Sequence, residues 1–151
     1  MRERNRLDGT IDGFRRLQRD LEDNLELIEL GEAEADAAVV AEAEKALGVA
    51  VQSADPEIAA EALFSRADLL ARRKDPRAGA EFLKLTYRYP DRRMWAARAL
   101  GRAGALYESA GRRATARRIV QKMRKVAPPG AWRAKAEATL RRLGKAPGPR
   151  R

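Results

Sequence analysis

The sequence predicts an all-α protein, an antiparallel helical hairpin followed by helix-turn-helix repeats. Three observations predict it. Apolar residues recur three and four positions apart, proline and glycine stand between the periodic segments, and no stretch alternates apolar with polar residues long enough for a strand. Hydrophobic residues make up 44% of the 151 and aromatics only 5%, so the core is expected to come from closely packed helices lined with Ala, Leu and Val.

The first element is a helix ending near Leu30, whose seam Leu7, Ile11, Phe14, Leu21, Leu25 and Ile28 follows a 4,3 spacing with Gln18 in the missing place. Such a seam serves either core packing or an oligomerisation surface, packing being the simpler use. Gly31 and the acidic turn Glu32 to Asp36 interrupt the helix, and Val39, Val40, Ala43, Leu47 and Val51 give the next one its apolar face.

At Ser53-Ala54-Asp55-Pro56 a proline stands where a new helix can start, with Ser or Asp available to cap it. Charge changes at the same place. Residues 1–54 hold 7 Lys/Arg against 13 Asp/Glu, while residues 55–151 hold 25 against 9. The expected organisation is therefore an acidic hairpin over 1–54, a basic repeat array over 55–143 and a flexible basic tail over 144–151.

The second part is self-similar. Ala62-Leu63 answers Ala99-Leu100, and Leu70 answers Tyr107, at an offset of 37; Ala78, Phe82, Leu85 and Pro90 answer Ala116, Val120, Met123 and Pro128 at 38, so one extra loop residue is expected. Trp132 answers Trp95, and Ala136 answers Ala99, at 37. Five helices follow: Pro56 to about Arg72, Pro76 to about Arg88, Arg92 to about Ser109, Arg113 to about Lys125, and a lone capping helix from Ala131 to Leu143.

Two resemblances attach to these segments. Arg2-Glu3-Arg4-Asn5-Arg6-Leu7-Asp8 and Leu21-Glu22-Asp23-Asn24-Leu25-Glu26-Leu27-Ile28-Glu29-Leu30-Gly31-Glu32, within Met1 to Leu47, closely resemble the N-terminal helical domain of bacterial peptide chain release factors of the UGA-reading class. The resemblance implies a helical bundle directed toward the large-subunit stalk base of the ribosome. The family's Ser-Pro-Phe and Gly-Gly-Gln sequences do not occur here, so no catalytic residue carries over. Leu100, Gly104, Tyr107, Gly111, Ala116, Val120 and Pro128 fall at the spacing of a tetratricopeptide repeat, and the segment resembles one. That resemblance implies an α-α superhelix in which one Gly permits close helix approach, an aromatic fills the groove and another Gly closes the turn. The first unit departs from it, with Arg66 or Ala67 near the Gly position and Lys74 at the turn.

Chemistry is restricted by what is missing. Without Cys or His there are no thiolate nucleophiles, imidazole acids or bases, disulfides or common zinc geometries, and the carboxylates form no evident catalytic pair. No catalytic residue, metal site, cofactor or small-molecule substrate is expected. Trp95, Trp132, Tyr107, Phe82 and Met123 read as packing residues, and Gly101-Arg102-Ala103-Gly104 is too short for a dinucleotide fingerprint. The charged first thirty residues and the interrupted run Ala37 to Val51 predict a soluble, cytoplasmic chain that does not enter a membrane.

Binding is therefore the expected activity. In the repeat family partners lie along the wall made by the first helix of each unit, which here implies Arg98 and Arg102, with Lys135 and Arg142 from the capping helix and Asp68 at the other end. A basic wall favours an acidic peptide segment of a protein partner, or phosphate. The densest positive charge, Arg113, Arg117, Arg118, Lys122, Arg124 and Lys125, is a solvated helix face or a non-specific contact for RNA and other polyanions. The leading expectation is a non-catalytic scaffold or adaptor. The alternative is a ribosome-associated fragment of a translation termination factor, and a third reading joins two unrelated coding fragments across the charge boundary.

Overall fold

Helix ends explain why these segments fold where they do. The computed structural model describes residues 2–34 and 36–144, with side chains from residue 12 onward except residue 14. Among the described residues there are seven helices and no strand: α1 (Arg2–Ala33), α2 (Ala37–Ala50), α3 (Pro56–Arg72), α4 (Ala78–Arg88), α5 (Arg93–Ser109), α6 (Arg113–Val126) and α7 (Ala131–Gly144). The fold is all-α and built from helical hairpins. It divides into two compact units, Met1–Arg66 and Ala67–Arg151, which meet within α3.

In the first unit α1 and α2 pack as a hairpin. Leu21 and Ile28 of the seam are buried, as are Ala43, Leu47 and Val51 opposite them, whereas Leu17, Leu27 and Leu30 lie off the seam and are exposed. The seam side chains Leu7, Ile11 and Phe14 lie outside those described. Gly31 does not interrupt α1, contrary to the sequence expectation; the helix runs through it to Ala33. A Cβ at Gly31 would stand 2.9 Å from Val40 Cγ2 and 3.3 Å from Val39 Cγ1, so the glycine is where α2 crosses closely. The reversal is held at Asp36, whose N–H reaches Gly31 O at 2.8 Å and whose carboxylate accepts from the N–H groups of Ala38 (3.0 Å) and Val39 (3.2 Å). Asp55 starts α3 in the same way, accepting from Glu57 N–H (2.8 Å) and Ile58 N–H (3.3 Å).

In the second unit α4 packs on α5, α5 on α6, α6 on α7, and α5 also touches α7. The fully buried side chains Phe82, Leu85, Leu100, Val120 and Met123 fill it. Two turns have the same hydrogen bonds. After α3, the N–H groups of Arg73, Lys74 and Asp75 reach the carbonyls of Leu69, Ala71 and Leu70; after α5, those of Ala110, Gly111 and Arg112 reach Leu106, Glu108 and Tyr107, 37 residues further on in every case. Gly111 takes the left-handed conformation this turn needs (φ 75°), and Lys74 takes it too (φ 56°) despite its side chain.

The start of α4 also differs from expectation. Pro76 does not begin α4, which starts at Ala78; Asp75 directs the turn by accepting from Arg77 N–H at 2.8 Å, and Ala78 N–H bonds Asp75 O at 3.1 Å. Of the expected basic tail, Gly144 closes α7 and residues 145–151 lie outside the described residues.

Candidate partner-binding wall

The predicted wall residues come from three helices of the second unit. On α5 the small residues Ala96, Ala97, Ala99, Ala103 and Gly104 are buried with Leu100, which leaves Arg98 and Arg102 one turn apart on the remaining arc. A Cβ at Gly104 would lie 2.8 Å from Val120 Cγ2, so α6 approaches closely from behind. Trp132 of α7 and Met123 of α6 lie beside Gly101, 3.9 and 3.6 Å from where its Cβ would stand.

Two ion pairs tie the three helices together. Asp68 on α3 accepts from Arg72 Nε at 3.2 Å and from Arg102 on α5. Glu108 on α5 receives both ends of the Arg142 guanidinium from α7, one at 2.7 Å. Asp68 and Arg102 are 34 residues apart, and so are Glu108 and Arg142. The hydrogen bonds and charge of Arg142 hold the Glu108 carboxyl below the usual carboxylate range, and Glu108 in turn raises Arg142. Pairs this exposed contribute about 0–1 kcal/mol each, so their main effect is on register and charge. Two of the wall's four cations are thereby matched by carboxylates of the same wall.

Arg98 and Lys135 each lie over an indole. The Arg98 guanidinium lies 4.3 Å from the centre of the Trp95 ring, and Lys135 Nζ 5.1 Å from that of Trp132. Trp95 is almost wholly buried and Trp132 half-buried. The same cation-on-indole unit thus recurs on α5 and α7. Each unit places a positive charge at the edge of a packed indole.

The six cations of α6 separate into two groups. Arg113 donates from Nε to Leu143 O (3.2 Å) and from Nη2 to Arg142 O (2.9 Å), so it closes the C-terminus of α7. Lys122 lies 4.1 Å from the centre of the Tyr87 ring and 3.5 Å from Thr86 Oγ1. Arg117, Arg118, Arg124 and Lys125 are exposed, and α6 contains no acidic residue.

Sequence reasoning missed Glu108 as the partner of Arg142, although opposite charges at a repeated 34-residue interval were readable. It also missed Arg93, which reaches Val126 O (2.9 Å) and Ala127 O (3.3 Å) and closes α6 as Arg113 closes α7. A pocket of about 400 Å³ lies beside the two equivalent turns, lined among others by Lys74, Gly79, Tyr107 and Arg112. The Tyr107 ring fills the space beside Gly79, and Arg112 lies over it at 4.9 Å. Among the described residues no cluster of three or more Asp, Glu, His or Cys is placed to hold a metal, and no helix is long and apolar enough to cross a membrane.

Comparison with known proteins adds one relationship. A stretch of 45 residues, 30% of this chain, is 58% identical to peptide chain release factor 2 of Paramagnetospirillum magneticum. The chain spans only 12% of that protein's length. This supports a release-factor-like segment in the chain. No family model matches the chain, and no solved structure matches it.

Proposed function

We propose that this chain is a non-catalytic helical-repeat adaptor whose second unit is tetratricopeptide-like and binds an acidic peptide segment of a protein partner along α3, α5 and α7. The recurrence of one hydrogen-bonded turn at 37 residues, with Lys74 accepting the left-handed conformation that Gly111 adopts easily, carries this reading. A backbone held to the same path where the side chain disfavours it points to a repeated unit. The ion pairs at 34-residue intervals support side-by-side first helices, and the cation-on-indole units at Arg98 and Lys135 supply the contact. The acidic hairpin over 1–54 and the basic array over 55–143 are proposed as separate functional parts.

The test is affinity capture on the whole chain with Arg98 and Lys135 both changed to Glu, at two salt concentrations. Loss of a defined partner without a fall in Tm is expected. An unchanged partner set at both salt concentrations would remove the wall from the account.

The release-factor match favours a second reading, in which the segment carrying it attaches the chain to ribosomes. Co-sedimentation with large ribosomal subunits that survives physiological salt supports attachment by this segment. Binding lost on a modest salt increase reduces it to charge attraction.

A further inference from the structure

We infer that the outer face of the second unit, at Tyr87 and the α6 stripe Arg118, Lys122 and Lys125, binds single-stranded nucleic acid. Tyr87 is 75% exposed, the most exposed large hydrophobic residue among those described. One side of its ring carries Lys122 Nζ at 4.1 Å, and the exposure leaves the other side open. Arg118 lies four residues before Lys122 and Lys125 three after it, so the three share one face of α6 and extend roughly 10 Å along it beside the tyrosine.

This face lacks what would neutralise it. Arg117, Arg118, Arg124 and Lys125 make no hydrogen bond or ion pair with the described residues. Glu81 on α4 is paired with Lys84, and α6 has no carboxylate. Arg113, a candidate by sequence, is excluded because it closes α7. A row of cations would attract any polyanion through its phosphates or carboxylates. The open aromatic face selects among them: an unpaired base can stack on it, whereas a duplex hides its base faces and an acidic peptide has no need of the ring. This surface is distinct from the α3, α5 and α7 wall, so each can fail without the other.

The probe is a fluorescent oligouridylate of about 12 nucleotides, within the span such surfaces cover. Its anisotropy is followed with the whole chain between about 50 and about 200 mM salt. Stacking of one base contributes about 1–3 kcal/mol, so Tyr87→Ala should weaken binding roughly 5- to 150-fold while Tyr87→Phe does not. Arg118→Glu with Lys125→Glu should abolish binding and Arg98→Glu with Lys135→Glu should leave it unchanged, with thermal melts confirming that all variants fold. Heparin and duplex RNA should respond to the charge reversal and not to Tyr87→Ala. An oligothymidylate arm shows whether the strand is RNA or DNA, and binding of either supports the inference. Oligouridylate affinity insensitive to Tyr87→Ala, or no binding even at the lower salt, overturns it.

Discussion

The two units satisfy their helix ends by different means. In the first, aspartates do it locally: Asp36 and Asp55 each accept two N–H groups from residues two and three further along. In the second, no side chain caps the starts of α5 and α6, and arginines close the ends of α6 and α7 from about 30 residues away in sequence. A cap two residues away forms with its own helix. A cap from another helix exists only once the helices have packed, so in the second unit helix stability depends on tertiary structure. Part of the basic excess after residue 55 is therefore structural, and counting charges overstates the surface open to a partner.

The largest effects should come from the two tightest glycine crossings among the described residues, one in each unit. Gly104→Ala puts a Cβ 2.8 Å from Val120 Cγ2, and Gly31→Ala one 2.9 Å from Val40 Cγ2. Each should cost about 1–3 kcal/mol, read as a lower midpoint in urea denaturation. If the first unit's crossing rests only on a short hairpin, Gly31→Ala should affect exchange protection of α1 and α2 and leave α5 and α6 intact.

Caps come next. Asp36→Ala should cost about 1 kcal/mol and loosen the start of α2 alone. Arg113→Ala should cost a similar amount, about 1–2 kcal/mol, but its loss of amide protection should appear on α7, the helix it does not belong to. Hydrogen exchange separates the two; a loss confined to α6 would refute capping across helices.

Acid should produce the smallest effect. Hydrogen bonds from Arg77 lower the Asp75 carboxyl from 3.8 to about 2. A carboxylate whose folded value is depressed contributes stability that is complete above its unfolded value, here 3.8, and that is lost as pH falls toward about 2. Glu108 acts in the same direction below its ordinary 4.5. Replacing Asp75 by Asn and Glu108 by Gln should therefore flatten the acid limb of a Tm-against-pH curve, and an unaltered limb would show that these pairs do not matter to folding.

Sequence made the helices legible because their signals are local. The seam through Leu21 and Ile28 and the facing Ala43 and Leu47 were readable from spacing alone, and all four are buried. The glycine that admits Val120 and the one that closes the α5 turn were expected from the tetratricopeptide resemblance. Gly31 was misread because a glycine that stops a helix and one that lets another helix cross look alike until the crossing helix is placed. The site was less legible. Arg98, Arg102, Lys135 and Arg142 all lie on the expected helices, yet only the structure shows Arg102 and Arg142 on carboxylates and an indole beneath both Arg98 and Lys135. Arg113 carries the charge of a polyanion site, and its long side chain turns instead to the end of α7.

The wall can be tested directly by titrating the ¹⁵N-labelled chain with an acidic peptide and following the two indole N–H resonances of Trp95 and Trp132 with the backbone amides. The account predicts saturable shifts at both indoles and around Arg98 and Lys135, absent when those two cations are reversed. Shifts restricted to α6, or spread evenly over every basic residue, would contradict it.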